Sequence, residues 1–226
     1  MSLGWKLAPR AILLPVIAAA ILFIPAGSLR FWRGWAFLAA FFVPGLFAFV
    51  YFLRHDRELV ERRMRSREPQ TEQKRLMRVG FQLFIASFLL PGLDYRFGWS
   101  RRLVGSVPVW LTSISLVMVV CGFLFVWWVL KVNTYAGRTI EVEAGQKVIS
   151  TGPYAWVRHP MYLGSLVVWT SAPLALGSWV AFPAFALLIP LYVLRLLNEE
   201  KVLLVELPGY PEYCSKTLYR LVPLLW

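Results

Sequence analysis

The chain is poor in the residues that build metal centres and disulfide frameworks. Among 226 residues there are only two cysteines and two histidines. Cys121 and Cys214 form no CxxC pair and cannot staple a fold, so both read as packing residues. His55 and His159 are too few for a histidine-rich metal site. Charge is scarce as well: 16% of residues are charged, against about 25% in soluble domains. Acidic residues number 12 against 24 Lys and Arg. Residues 221–226 carry no prenylation box.

What the chain has instead is apolar surface. Hydrophobic residues make up 58% of it, above the roughly 45–50% of soluble domains, and the mean hydropathy is +0.60. A single domain is the natural expectation for this length. The net charge of +12 would suit a nucleic-acid binder, but the basic residues sit in loops between apolar runs. That pattern belongs to membrane topology and anionic head groups. No nucleic-acid-binding motif accompanies it, so a nucleic-acid partner is excluded.

Spanning helices need about 20 mostly apolar residues. The candidates are residues 11–25, 34–53, 79–93, 103–130, 161–176 and 179–197. The first has the charged start of a signal peptide, yet a second apolar run follows almost at once, which favours a retained helix. Gly177-Ser178 separates the last two runs and predicts a tight helical hairpin. The expected fold is therefore all-α: a polytopic transmembrane helical bundle of five to six spans, with a C-terminal hairpin. Pro15, Pro44, Pro108, Pro173, Pro183 and Pro190 lie inside these runs, which membranes tolerate where neighbours satisfy the freed carbonyls. Trp32, Trp35, Trp99, Trp127, Trp128 and Trp179 fall near the ends, as an aromatic belt requires.

With a cytoplasmic N-terminus and six spans, all but five of the 24 basic residues fall inside; Arg30, Arg33, Arg96, Arg101 and Arg102 are outside. The asymmetry follows the positive-inside rule. It predicts a multi-pass protein of the cytoplasmic membrane, with the 131–158 loop and the C-terminal tail on the cytoplasmic side. Residues 54–78 form the most basic stretch. Glu58–Arg62 and Glu61–Arg65 are i,i+4 pairs that support a helix, and Pro69 interrupts it. An interfacial segment on anionic lipid and a solvated connecting loop are equally good readings.

The most informative stretch is TGPYAWVRHPMYLG at 151–164. A residue before proline avoids the α region, and Pro160 suits a first helical turn. His159 therefore caps the fifth span at the membrane surface. Free backbone N–H groups in that turn would suit a carboxylate or phosphate. Tyr154, Trp156 and Tyr162 offer faces for a flat ring or a cation. The second stretch is RLLNEE at 195–200. Arg195 and Glu199 share a helix face, and charges this close to hydrocarbon are usually functional. The bland alternatives are a helix-end salt bridge and a solvated Glu200.

RHPMYLG at 158–164, GPY at 152–154 and RLLNEE at 195–200, with GYPEY at 209–213 and RLVP at 220–223, resemble the isoprenylcysteine carboxyl methyltransferases and the related phospholipid methyltransferases. The resemblance covers about residues 131–226. It implies a small helical membrane enzyme that uses S-adenosylmethionine in a cytoplasmic pocket and takes a lipophilic acceptor from the bilayer. Residues 103–226 would be the methyltransferase core, and 1–102 the N-terminal transmembrane helices with the basic cytoplasmic loop 54–78. The implied cofactor contacts are Gln146, Lys147, Val148, Ile149, Tyr154, His159, Pro160, Met161, Tyr162 and Glu199. Arg195 would hold the substrate, and Arg195 and Glu199 would form the catalytic pair. Gln146 stands where the methyl-esterifying enzymes of eukaryotes often carry histidine.

Methyl transfer from a sulfonium needs alignment more than a strong catalytic group, since positioning alone contributes roughly 7–11 kcal/mol. A carboxylate acceptor needs no base; an amine would, with His159 or Glu200 as candidate. The preferred acceptor is an isoprenylcysteine-like carboxylate, with a phospholipid amine or small thiol as alternatives. Arg-His-Pro-x-Tyr also occurs in sterol-reductase-like membrane enzymes that use NADPH. That reading, and a scaffold without activity, stay open at this point. The partners expected are the lipophilic substrate and membrane lipid, and no protein partner is implied.

Overall fold

The computed structural model describes residues 3–64, 71–137, 140, 142–143 and 145–226, with residues 3–11 and 71–73 described by backbone alone. Among the described residues the regular structure is helical, and no strand occurs. In chain order come α1 (Leu3–Ala26), α2 (Trp32–His55), α3 (Arg57–Met64), α4 (Thr71–Phe97), α5 (Trp99–Leu103), α6 (Val109–Val132), a 3-10 turn (Gly152–Ala155), α7 (Pro160–Ala175), α8 (Phe182–Ala186), α9 (Leu188–Glu206) and α10 (Tyr210–Lys216). Helices Trp32–His55, Lys74–Phe97, Val109–Val132 and Phe182–Glu206 are long and apolar enough to cross a membrane. Ile12–Ala26 adds a shorter apolar helix, and α7 has 16 residues. The chain is a polytopic helical membrane protein.

Several boundaries differ from the hydropathy pattern for local reasons. The run at 103–130 begins its long helix only at Val109, because Pro108 occupies the start and its carbonyl accepts from Leu111 and Thr112 N–H. The run at 179–197 divides into α8 and α9 around Leu187, then continues through Glu206. Apolar content does not stop it there, since Asn198, Glu199, Glu200 and Lys201 all continue the helix. In the basic stretch, α3 buries Leu59 and Val60, and Glu58 pairs with Arg62 at 3.6 Å. The Glu61–Arg65 pair and Pro69 lie outside the described residues. Cys121 is exposed on α6 rather than packed.

The chain divides into two compact units: Met1–Phe47, Phe81–Cys121 and Val168–Leu188 form the first, and Ala48–Gly80, Gly122–Val167 and Ile189–Trp226 the second.

In the first unit Phe88 packs against Phe37, Phe185 and Trp169, with ring centroids 5.6, 5.0 and 6.1 Å apart. Gly92 lets α4 approach the α1 backbone at Leu22, where any added Cβ would collide with the carbonyl. Asp94, only 4% exposed, gathers the chain around one carboxylate. It accepts from the Ser100 N–H at 2.7 Å and from the hydroxyls of Ser100 and Ser178. The Ser100 hydroxyl in turn accepts from Trp179 and Val180 N–H. A buried carboxylate with every partner in place rigidifies the turns that it joins.

In the second unit α6 and α7 pack through small residues. A Cβ at Gly164 would lie 2.7 Å from Val126 Cγ2 and 3.2 Å from the Gly122 carbonyl. Close backbone approach through small residues is the usual packing of membrane helices. The N-terminal turn of α7 and the middle of α9 then meet in a cluster of Tyr162, Leu196 and Leu221, with Tyr192, Leu197 and Trp226 around it. Replacing Gly164 by leucine should lower stability by about 1–3 kcal/mol. Thermal unfolding in detergent reads this as a lower midpoint, and an unchanged midpoint would show that α6 and α7 do not pack through this face.

Candidate active site

The site lies within the second unit and grows from two helix ends. Pro160 opens α7, so His159 is its cap residue, as the spacing predicts. The His159 carbonyl accepts from the Tyr162 and Leu163 N–H groups. That closure leaves less of the first turn open to an anion than the sequence suggests. Residues 158 and 159 are held from outside the helix, because their N–H groups donate to the carbonyls of Tyr219 and Arg220, both at 2.9 Å.

Side chains tighten the same junction. Glu200 is 5% exposed. Its Oε1 accepts from Arg158 Nη1 at 3.1 Å and its Oε2 from Arg220 Nε at 2.7 Å. Arg158 also donates from Nε to the Thr217 carbonyl at 2.7 Å and from Nη2 to the Cys214 carbonyl at 2.9 Å. His159 Nε2 stands 3.5 Å from Glu200 Oε1. A carboxylate committed to two guanidinium groups is an anchor, not a proton acceptor. Glu200 is therefore unsuited to the base role that its position suggests.

One residue earlier, Glu199 faces a different neighbour. The Tyr162 hydroxyl donates to Glu199 Oε2 at 2.6 Å, and Arg195 bears on the same hydroxyl. The two motifs are 37 residues apart, yet they meet through this contact. Tyr154 belongs to the same neighbourhood, since the Glu199 charge reaches its phenol. Its hydroxyl accepts from Asn133 Nδ2 at 2.9 Å, and its carbonyl accepts from the Tyr213 hydroxyl at 2.7 Å. Burial pushes the Tyr213 phenol up to about 12 and raises Tyr154 as well. Both stay protonated near neutral pH, so they position and donate rather than act as bases.

The remaining candidates fall nearby by degrees. Val148 packs with Tyr154 against Leu207, Tyr210 and Tyr213. Gln146 closes a local turn: its Oε1 accepts from the Glu143 N–H, and its own N–H donates to the Glu143 carbonyl, both at 3.0 Å. Lys147 is exposed, and Ile149 is half-buried. Met161 Sδ lies 3.5 Å from Arg63 Nη1, which also donates to the Ala136 carbonyl at 3.2 Å. Trp156 is 58% exposed and packs edge-on to Trp128 at 5.6 Å. Sequence reasoning missed Arg63, Asn133, Tyr213 and Arg220 as neighbours of the site. Only the GYPEY and RLVP motifs pointed towards any of them.

Residues 110–207 match the family model described as phospholipid methyltransferase. The match takes in every candidate contact from Gln146 to Glu199 and ends before Tyr210. Part of the chain is also similar to the Delta(14)-sterol reductase TM7SF2 of Mus musculus, 31% identical over 92 residues. That match covers 39% of this chain and spans 22% of the relative's length.

Removing one partner of a buried ion pair leaves an uncompensated charge and costs about 3–5 kcal/mol. Glu200→Gln, which strands Arg158, should fall in that range. Arg220→Ala should cost less, because the Arg220 side chain is 37% exposed. Thermal unfolding of the two variants checks the order. Equal, small losses would show that the cluster is not what holds the tail.

Proposed function

We propose that the chain is an integral membrane methyltransferase that uses S-adenosylmethionine and acts on a lipophilic acceptor, best matched by the carboxylate of an isoprenylcysteine-like substrate. The observation that carries this reading is the 2.6 Å contact between Tyr162 and Glu199. It joins the two motifs whose combination resembles these enzymes, and the family match of residues 110–207 supports it.

The residues present fit the donor by their chemistry. Glu199 supplies a carboxylate for an ammonium. Tyr154, Met161 and Tyr162 supply aromatic and thioether surface for adenine and sulfonium. Val148 and Ile149 supply an apolar wall. His159 and Pro160 set where α7 begins, and Gln146 and Lys147 shape the loop that approaches it. When bound, the cofactor supplies an electrophilic methyl group. The protein's part is alignment: Glu199, fixed by Tyr162, orients one end of the donor. Arg195, on the same face of α9, holds the acceptor carboxylate in bidentate fashion. Such an acceptor is already a nucleophile. That suits a site in which Glu200 is committed to Arg158 and Arg220.

The placement of this pocket on the cytoplasmic side of the cytoplasmic membrane belongs to the same proposal and rests on the distribution of Lys and Arg. The family description favours a phospholipid amine as the second acceptor. The likeness to a sterol reductase favours an NADPH-dependent reading over the part that matches.

Calorimetry on the purified chain should detect S-adenosylmethionine binding and none of NADPH. Loss of a hydrogen bond to a charged group is worth about 1.5–3 kcal/mol, so Glu199→Ala should weaken donor binding by roughly 10–100-fold. Arg195→Lys should lower turnover more than donor affinity. Binding of NADPH in place of the sulfonium would replace this reading with the reductase one.

A further inference from the structure

Tyr210 opens α10 and is 3% exposed. It forms a buried cluster with Leu207 and Tyr213, against which Val148 and Tyr154 pack. Its hydroxyl is buried and, among the described residues, makes no hydrogen bond. Tyr213, on the same helix, shows the ordinary outcome: its hydroxyl donates to the Tyr154 carbonyl. The Cys214 thiol is a polar neighbour of Tyr210, but sulfur is a weak partner and does not meet the hydroxyl in hydrogen-bonding geometry.

Buried hydroxyls are nearly always bonded, and one left without a partner is costly. Phenylalanine would fill this volume equally well without that penalty. Among the described residues, the other such atoms have simpler accounts. Arg33 Nε and Arg62 Nε are single donors on five-donor groups, and His159 Nε2 stands beside Glu200. Among the described residues, no oxygen or nitrogen meets the one polar side-chain atom of Tyr210.

The surroundings say what would. Burial holds the phenol protonated, and the charges of Glu200 and Glu199 act on it in the same direction. Glu200 is already matched by Arg158 and Arg220, so Glu199 decides the sign: a carboxylate or phosphate partner would meet it as a like charge, whereas an ammonium would be drawn to it. Val148 and Tyr154, which pack on the cluster that holds Tyr210, are themselves candidate contacts of the methyl donor. Resting on the proposed function, we infer that the Tyr210 hydroxyl is a further contact of that donor, accepting a hydrogen bond from its ammonium group beside Glu199. The residue lies outside the segment matched by the family model.

Tyr210→Phe removes the oxygen and keeps the ring. Calorimetry on the full chain in detergent would compare S-adenosylmethionine, S-adenosylhomocysteine and 5′-methylthioadenosine, which lacks the amino-acid tail. The variant should bind the first two about tenfold more weakly or worse and bind 5′-methylthioadenosine as the wild type does. Its unfolding midpoint without ligand should be unchanged or higher. Wild-type affinity for S-adenosylmethionine in the variant overturns this inference and leaves the methyltransferase reading intact. Equal losses for all three ligands, with a lower midpoint, mark a structural hydroxyl and also overturn it. A wild-type chain that binds none of the three removes the proposed function and this contact together.

Discussion

One carboxylate organises the second unit. Glu200 sits in a place where burial alone would disfavour its charge, and it is held there by Arg158 from the start of α7 and Arg220 from the tail. Buried charges of this kind persist only when paired and hydrogen-bonded. Here the pairing ties three separated pieces of chain to one point. Arg158 extends the tie to the Thr217 and Cys214 carbonyls. The backbones at 158–159 and 219–220 then lie side by side. The position of His159 and the start of α7 follow from this clasp.

The clasp has a consequence for its neighbour. Helix geometry gives Glu199 and Glu200 different faces of α9. Fixing Glu200 against the two arginines leaves Glu199 turned to Tyr162. Two adjacent acids thus divide the work, one structural and one facing the candidate donor site. The tail beyond residue 207 is part of that arrangement, since Tyr210, Tyr213 and Arg220 all touch it, although the family match stops short of them.

Much of this was legible in residue order. Long apolar runs announced the helices, and Pro160 announced the start of α7. The grouping of Tyr154, Tyr162 and Glu199 followed from a motif resemblance rather than from periodicity. What residue order could not show was partner choice. Spacing pairs Glu199 with Arg195, but nothing local shows that Glu200 is buried and doubly paired; that takes Arg158 and Arg220, 42 and 20 residues away. Arg63 was unreadable for the same reason: its contact with Met161 joins residues 98 positions apart. At α9 the apolar run stops near residue 197 while the helix continues to Glu206, because Glu and Lys are good helix formers and carry on the turn that Arg195 and Glu199 share.

The central claim is that this face of the protein transfers a methyl group to a lipophilic acceptor. The most direct measurement is mass spectrometry of lipids and small metabolites from membranes supplied with S-adenosylmethionine carrying a deuterated methyl group. Membranes containing the chain should yield a labelled lipophilic product that membranes without it lack. No labelled species above that background would contradict the account.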